Sequence, residues 1–183
     1  MIKGGISMNN INEIYKILLN DDILMYENEI FNLIPELEYE KGFDQRSKWH
    51  CYDVWNHTIA TINACDMNPN DRLIMLLHDV GKPFSYQDDG EVRHFKGHAS
   101  KSAEISKIIL DRFNISNEDK KIILKLIELH SSKIDINDIN INNINFYRRL
   151  YKIKLCDAKG YEEGHSKIII NQLENISLKL NKK

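Results

Sequence analysis

The chain has 183 residues, of which 42% are hydrophobic and 28% are charged, and its formal net charge is −2. This length and composition predict a single globular domain with a buried core, and the near-neutral charge excludes the strong basic field that attracts long nucleic acids. No apolar run approaches the roughly 20 residues of a membrane span, and residues 1–10 lack the apolar segment of a secretory signal, so we expect a cytoplasmic protein with no membrane partner.

The cysteine content supports the same expectation. The chain has three cysteines, Cys51, Cys65 and Cys156, which form no closely spaced pair. An odd number of cysteines without a CxxC motif is typical of reduced thiols in a reducing compartment.

Apolar periodicity predicts helices in residues 10–34. Ile11, Ile14 and Leu18 recur at helical spacing, and a second periodic stretch runs from Ile23 to Pro35. Residues 36–48 are polar and predict a loop or a short helix.

The next helix is predicted to begin after Asp53, a good N-cap residue. Val54, His57 and Thr61 then share one face. A histidine among small apolar residues is more often a hydrogen-bonded core residue than a ligand, so His57 alone indicates no function.

The helix predicted for residues 72–80 is mostly buried and ends in the adjacent pair His78-Asp79, followed by Gly81 and Lys82. Such a pair can also be an ordinary helix end with a solvated aspartate and a glycine cap. Adjacent helical side chains diverge by about 100°, so other segments would have to complete any ion site here.

Beyond Pro83, the Asp89-Gly90 dipeptide predicts a short β-ribbon or an ordered loop within residues 84–96. Three further helices are predicted: one from His98 to Phe113, one from a Ser116 cap to His130, and one over residues 146–160. Residues 131–145 are polar and predict a loop with one helical turn, and residues 163–180 predict a last amphipathic helix. No other segment alternates like a strand, so the predicted fold class is all-α.

Five of the seven histidines fall at the ends or on the apolar faces of predicted helices, or in the ribbon. Together with Asp79 and Asp157 they form a dispersed set of imidazoles and carboxylates, which suits first-row transition metals better than calcium or magnesium. Asp157 lies on an apolar helix face, where an unpaired carboxylate would be costly and a cation would offset that cost.

These ordered motifs resemble the HD superfamily of metal-dependent phosphohydrolases, and especially the HD domain of bacterial tRNA nucleotidyltransferases. The resemblance covers about residues 34–160. Its motifs are Pro35-Glu36-Leu37, Gln45, residues 49–58, residues 76–83, residues 90–98, Ser102-Ala103-Glu104, Glu128-Leu129-His130 and Cys156-Asp157-Ala158. The resemblance implies one HD domain over residues 1–183, a helical bundle whose core at 34–160 is flanked by helices at 10–34 and 163–180.

The resemblance also implies a set of site residues. Four positions match the family's core metal ligands, and two match the extra ligands of members that bind a second ion, with Asp79 as the bridge. These six residues are His57, His78, Asp79, Asp157, His98 and His130. Lys82 and His94 match polar positions that face the substrate phosphate, His50 matches a residue beside the ligands, and His165 is expected at the surface.

The implied activity is hydrolysis of a phosphomonoester or phosphodiester by a water that one or two divalent ions activate. Iron, manganese, cobalt, nickel and zinc are the expected ions, and magnesium is less favoured. The expected substrate is a nucleotide or the phosphate at an RNA end. Two alternatives stay open: a di-iron oxygenase of the HD type, and a non-catalytic module that binds nucleotide or RNA.

One departure from the nucleotidyltransferases is clear. The roughly 33 residues before the match contain no Gly-Ser loop with paired aspartates, which is the catalytic signature of nucleotide addition in that family. The sequence therefore resembles the HD module alone, and we do not expect it to add nucleotides.

Overall fold

A computed structural model of the chain describes residues 9–46 and 52–181. Within these ranges eight α-helices and one two-stranded ribbon are present, which confirms the all-α prediction. The helices are α1 (Ile11–Leu18), α2 (Glu27–Leu33), α3 (Val54–Ala64), α4 (Pro69–Leu77), α5 (His98–Leu110), α6 (Asn117–Leu129), α7 (Ile144–Lys159) and α8 (Glu163–Asn181). None of these helices combines the length and hydrophobicity that crossing a bilayer requires.

Polar caps set where the site-bearing helices begin. The Asp53 side chain accepts a hydrogen bond from the Asn56 amide at the start of α3, and Asn68 accepts two at the start of α4. Ser116 caps α6 in the same way. Helix α4 begins and ends three residues earlier than periodicity predicts, so His78 is its C-terminal cap and Asp79 lies just beyond it.

Helix α4 runs through the centre of the molecule. Its residues 73–77 are at most 1% exposed, and helices α1, α3, α6 and α7 pack around it. Because apolar side chains surround α4 on every side, its C-terminal end is held inside the protein rather than at the surface. A second, smaller apolar cluster joins α8 to Ile139 and to the outer face of α7.

The predicted hairpin is a short antiparallel ribbon in which β1 (Gln87–Asp88) pairs with β2 (Arg93–His94). Gly90 at its turn has a φ of +94°, a conformation that glycine adopts without strain. The ribbon leads directly into α5 and its first residue, His98.

The expectation of three reduced thiols is wrong for two of them. Cys65 and Cys156 form a disulfide; their Cα atoms are 5.3 Å apart, and their positions differ by 91 in the sequence. Residues distant in the chain are brought together because α3 packs against α7. The inference of a reducing compartment therefore loses the support that free thiols would give it. Cys51 lies outside the described residues.

Candidate metal centre

The ends of three helices and the faces of two others meet at one buried point. His78 ends α4, His130 ends α6 and His98 begins α5, while α3 and α7 each present one side chain from within the helix. The six side chains that converge are His57, His78, Asp79, His98, His130 and Asp157. The structure therefore brings together all six residues that the resemblance implies as ligands.

The four histidines among these six residues are each oriented by a contact with a backbone carbonyl oxygen. The Nδ1 atoms of His78, His98 and His130 each lie 2.6–2.7 Å from the carbonyl oxygen three residues earlier, in Met75, Phe95 and Ile127. The Nδ1 atom of His57 lies 3.1 Å from the Gly160 carbonyl oxygen. A carbonyl can only accept, so we assign the Nδ1 atom of each ring as its proton donor. Each Nε2 atom is then left to face the centre.

Asp79 stands between two groups of donors. Its Oδ2 atom lies 3.1 Å from His78 Nε2 and 3.6 Å from His57 Nε2. Its Oδ1 atom lies 3.5 Å from His98 Nε2 and 3.7 Å from His130 Nε2. Asp157 completes the first group, with Oδ1 3.2 Å from His57 Nε2. One carboxylate oxygen of Asp79 thus serves each group, the arrangement that a residue bridging two ions requires.

These contacts are unfavourable unless a positive charge lies among them. A neutral imidazole that donates from Nδ1 presents a lone pair at Nε2, and here those lone pairs face carboxylate oxygens. The Nε2 atoms of His98 and His130 even face each other at 3.2 Å. Within the described ranges, His78 Nε2 and Asp79 Oδ1 are buried without a hydrogen-bond partner. Buried atoms of this kind are suited to coordinate a cation. A donor set of imidazole nitrogen and carboxylate oxygen suits divalent transition metals.

Without an ion, a proton supplies the missing charge. Burial by itself would lower the pKa of His78, but the carboxylates of Asp79 and Asp157 raise it to about 10. Burial, together with the charge on His78, lowers the pKa of His130 to about 3. The pKa of Asp79 is well below its usual range: burial acts to raise it, and the charges of His78 and Lys82 overcome that effect. A divalent ion would displace the His78 proton, so ion binding should weaken as pH falls.

Lys82 is buried beside the donors. Its Nζ lies 2.7 Å from Asp79 Oδ2, donates a 2.8 Å hydrogen bond to Gln45 Oε1 and lies 5.4 Å from the centre of the Phe95 ring. Lys82 also lines the cavity described below, as its predicted contact with a phosphate requires. His94 is placed differently: it lies on β2, largely exposed, with Nε2 3.1 Å from Asp89 Oδ2. Its predicted role at the phosphate stays a prediction.

A cavity of about 790 Å³ opens from the donors. One part of its lining is Asp79, Lys82, His98, His130 and Asp157. The remainder comes from Phe95, from the segment after α6, from α7, from the turn between α7 and α8, and from α8. Besides Phe95, these residues are Ser131, Ser132, Lys133, Ile134, Lys154, Tyr161, Ile169, Gln172, Leu173 and Ile176. A volume of this size accommodates a small-molecule ligand.

The sequence alone does not predict Lys154 as a residue of this cavity. Lys154 is buried, and its Nζ donates to the carbonyl oxygens of His130 and Ser132, where it fixes the C-terminal end of α6. Burial lowers the pKa of Lys154 to about 8. The one signal in the sequence was its position three residues before Asp157, on a neighbouring part of the same helix face.

Two glycines allow the close approach of backbone to the centre. A Cβ atom on Gly160 would lie 2.9 Å from His57 Cε1 and 2.5 Å from Thr61 Cγ2. A Cβ atom on Gly81 would lie 2.4 Å from the backbone nitrogen of Ser102. At both positions a side chain would displace an element that carries a donor.

The sequence predicts places outside the set of six for His165, at the surface, and for His50, beside the ligands. His165 is half-buried, with its ring centre 5.0 Å from that of Tyr161, so it is less exposed than expected. Tyr161 in turn packs against His57 at 5.1 Å. His50 lies outside the described residues, and its expected place beside the ligands stays a prediction.

A buried carboxyl group lies close to the centre without belonging to it. Glu40 is fully buried; its Oε2 accepts a 2.9 Å hydrogen bond from the Thr58 hydroxyl, while Oε1 has no hydrogen-bond partner within the described residues. Burial raises the pKa of Glu40 to about 8, and the charge of Asp79 adds to that effect. In the folded, metal-free protein, this raised pKa favours the protonated form of Glu40 at neutral pH.

We expect the Glu40→Gln variant to remove a pH dependence of folding. Folded Glu40 keeps its proton up to about pH 8, whereas the unfolded chain releases it near pH 4.5. The folded state binds the extra proton between these values, so stability falls as pH rises through this window. The variant should be more stable than wild type by about 4 kcal/mol at pH 8 and by about 1 kcal/mol at pH 5. Urea unfolding of the metal-free protein at both pH values measures the difference.

Glu38→Gln is the matched control, because Glu38 lies in the same turn but is exposed. Its unfolding free energy should differ little from that of wild type at either pH. An equal difference between Glu40→Gln and wild type at pH 5 and pH 8 would contradict the assignment of a proton to Glu40.

Comparison with known proteins identifies a protein family that this chain matches. A family model described as "HD domain" matches residues 50–173, more than half of the chain. An A-adding tRNA nucleotidyltransferase from Deinococcus radiodurans is 28% identical over 139 residues, which cover 69% of this chain and 32% of the relative. A CC-adding tRNA nucleotidyltransferase from Thermus thermophilus is 30% identical over 108 residues, covering 55% of this chain and 25% of the relative. The match thus covers no more than about a third of the length of either relative.

Proposed function

The chain belongs to the HD domain family, and from this premise we propose that it is a metal-dependent phosphohydrolase acting on a nucleotide or on the phosphate at an RNA end. The observation that carries the proposal is the convergence of four Nε2 atoms on two carboxylates at one end of a cavity. His57, His78, Asp79 and Asp157 would hold one ion. His98 and His130 would hold a second one, with Asp79 shared between the two.

When bound, divalent ions of this kind lower the pKa of a coordinated water toward neutrality and offset negative charge on a phosphoryl group. The chain supplies the surroundings for that chemistry. The Nδ1–carbonyl contacts hold the imidazoles in a fixed orientation, which limits the reorganisation needed during reaction.

Lys82 is the residue best placed to act on the substrate directly. Its ammonium group is buried between Asp79 and Gln45, and it lines the cavity. A buried cation beside the phosphate would stabilise the negative charge that develops on the non-bridging oxygens. Gln45 would keep Lys82 oriented when ions compete with it for Asp79.

The names of the two relatives support the substrate class, since both are tRNA nucleotidyltransferases. Net charge −2 favours a small nucleotide over a long RNA, whose binding depends on many phosphate contacts. Within the proposed class we therefore place mononucleotides first and RNA ends second. A strong dependence of tRNA binding on salt concentration would reverse that order.

The test is phosphate release from protein purified without chelator. We expect release from nucleoside monophosphates with at least one of Mn²⁺, Co²⁺, Ni²⁺, Fe²⁺ and Zn²⁺, and little release with Mg²⁺. Cyclic nucleotides and a 3′-phosphorylated oligonucleotide extend the panel to diesters and RNA ends. Protein that binds these ions but releases no phosphate from any member of the panel would overturn the proposal.

A further inference from the structure

The cavity beside the donors has a wall that hydrolysis of phosphate alone does not require. Helix α8 contributes Ile169, Leu173 and Ile176, which follow each other at spacings of four and three residues and so share one face. Ile134, in the segment after α6, lies on the same apolar lining. Leu173 and Ile176 also belong to the apolar cluster that packs α8 on α7, whereas half-buried Ile169 leaves more of its surface open to a bound group.

The wall is continuous with the proposed reaction site. Asp79, His98, His130 and Asp157 line the same cavity as the α8 residues. A phosphate held at the donors would therefore direct the group attached to it into the volume beside α8. A total volume of about 790 Å³ leaves room for a group much larger than phosphate.

The charges in the cavity indicate what that group is like. Among the described residues that line it, the cations are Lys82, Lys133 and Lys154, and the only carboxylates are the two candidate ligands. Lys82 is bonded to Asp79, and Lys154 is bonded to backbone carbonyls. The described part of α8 brings no charge into the cavity, and its polar contribution is Gln172. The part of the lining that α8 supplies thus suits a neutral group with an apolar face.

On the basis of the proposed function, we infer that α8 selects phosphate monoesters whose leaving group carries a ring with an apolar face, and that Ile169, Gln172 and Leu173 determine this specificity. The ring packs on Ile169 and Leu173, and Gln172 lies at the edge of the same surface. Nucleosides and phenols meet this description, whereas glycerol and simple sugars do not.

Binding of two phosphonates tests the inference without any hydrolysis. Phenylphosphonate and methylphosphonate share one head group and differ only in the ring, and neither has an ester bond to cleave. With Mn²⁺-loaded wild type, we expect calorimetry to give about tenfold tighter binding for phenylphosphonate. Equal affinities of the two phosphonates for wild type would overturn the inference.

Neighbouring isoleucines on α8 provide a matched pair of variants. Ile169 lines the cavity, whereas Ile168 is 49% exposed and does not. The Ile169→Asn variant should bind both phosphonates about equally, with its affinity for methylphosphonate within twofold of wild type. The Ile168→Asn variant should keep the wild-type preference. An equal loss of preference in both variants would show an effect on the helix rather than on the wall, and would overturn the inference.

A second pair avoids any risk to packing, because both positions are exposed. Gln172→Leu extends the apolar wall and should strengthen the preference for phenylphosphonate by about threefold. Asn171→Leu, one position away and outside the lining, should leave the preference unchanged. No increase in Gln172→Leu, or the same increase in both variants, would count against the inference.

Failure of the inference and failure of the proposed function can be told apart. Suppose that no phosphate ester is cleaved, but phenylphosphonate still binds more tightly than methylphosphonate in wild type and not in Ile169→Asn. The hydrolase proposal then fails, and the inferred role of α8 in selecting the ligand is supported. If phenyl phosphate and glycerol 2-phosphate are hydrolysed equally well, and the two phosphonates also bind equally, the proposed hydrolase activity is supported and the inferred selectivity of α8 is wrong.

Discussion

Asp79→Asn should remove both bound metal and phosphatase activity, with a fall of about a thousandfold or more in kcat/KM. Among the described residues, Asp79 is the side chain that contacts both groups of imidazoles: Oδ2 faces His57 and His78, and Oδ1 faces His98 and His130. Asparagine keeps the shape but brings a neutral amide into this contact, so neither group keeps its shared carboxylate. Metal analysis of the purified variant, together with phosphate release, measures both losses.

Asp22→Asn is the control, because Asp22 is exposed and its side chain makes no capping hydrogen bond to the short helix that follows it. That variant should keep wild-type metal content and activity. Circular dichroism should establish that Asp79→Asn is folded, since removal of a buried charge leaves the Lys82 ammonium without its ion-pair partner. A folded Asp79→Asn protein with full metal content and activity would exclude this centre as the reaction site.

Gly81→Ala should destabilise the protein by about 3 kcal/mol and disturb the part of the centre that α5 supplies. The new methyl group would lie 2.4 Å from the Ser102 backbone nitrogen and 2.8 Å from the His98 carbonyl oxygen. These are backbone atoms of α5, so the clash can be relieved only by moving the helix. The same shift would stretch the 2.9 Å hydrogen bond from the Gly81 amide to the Ser102 hydroxyl. Urea unfolding gives the stability change.

Gly164→Ala tests whether such an effect is specific to the position. Gly164 lies in α8, where a new methyl group would meet no neighbouring element within 4 Å, and alanine favours helix more than glycine does. This variant should be as stable as wild type or slightly more stable. A Gly81→Ala protein as stable as Gly164→Ala would mean that the close contact between residue 81 and α5 does not exist in solution.

The sequence allowed the helices to be predicted well where caps and periodicity agree. Asp53 and Ser116 do cap their helices, and the apolar faces that follow them are buried. Helix α4 ends three residues earlier than the sequence predicts, because the two local stop signals, Gly81 and Pro83, both lie beyond His78. Tertiary contacts around the centre, rather than local propensity, determine where that helix ends.

The candidate ligands could be predicted from ordered sequence motifs, whereas the cavity beside them could not. His57, His78, Asp79 and Asp157 fall in motifs that can be recognised one by one, so their convergence could be anticipated. The wall of the cavity depends on how α8 packs on α7, and amphipathic periodicity alone does not specify a helix's partner. The disulfide was missed for the same reason, since the positions of its cysteines differ by 91.

The Cys65–Cys156 bond gives the centre an unusual covalent topology. Its cysteines enclose the stretch of chain that contains His78, Asp79, His98 and His130, while His57 and Asp157 lie just outside, one on each side. Four candidate ligands thus lie on a covalently closed ring of polypeptide, and the other two lie in the chain just outside the disulfide that closes it. A single cut in the exposed ribbon would open the backbone without separating the pieces, so all six side chains would still belong to one covalent molecule.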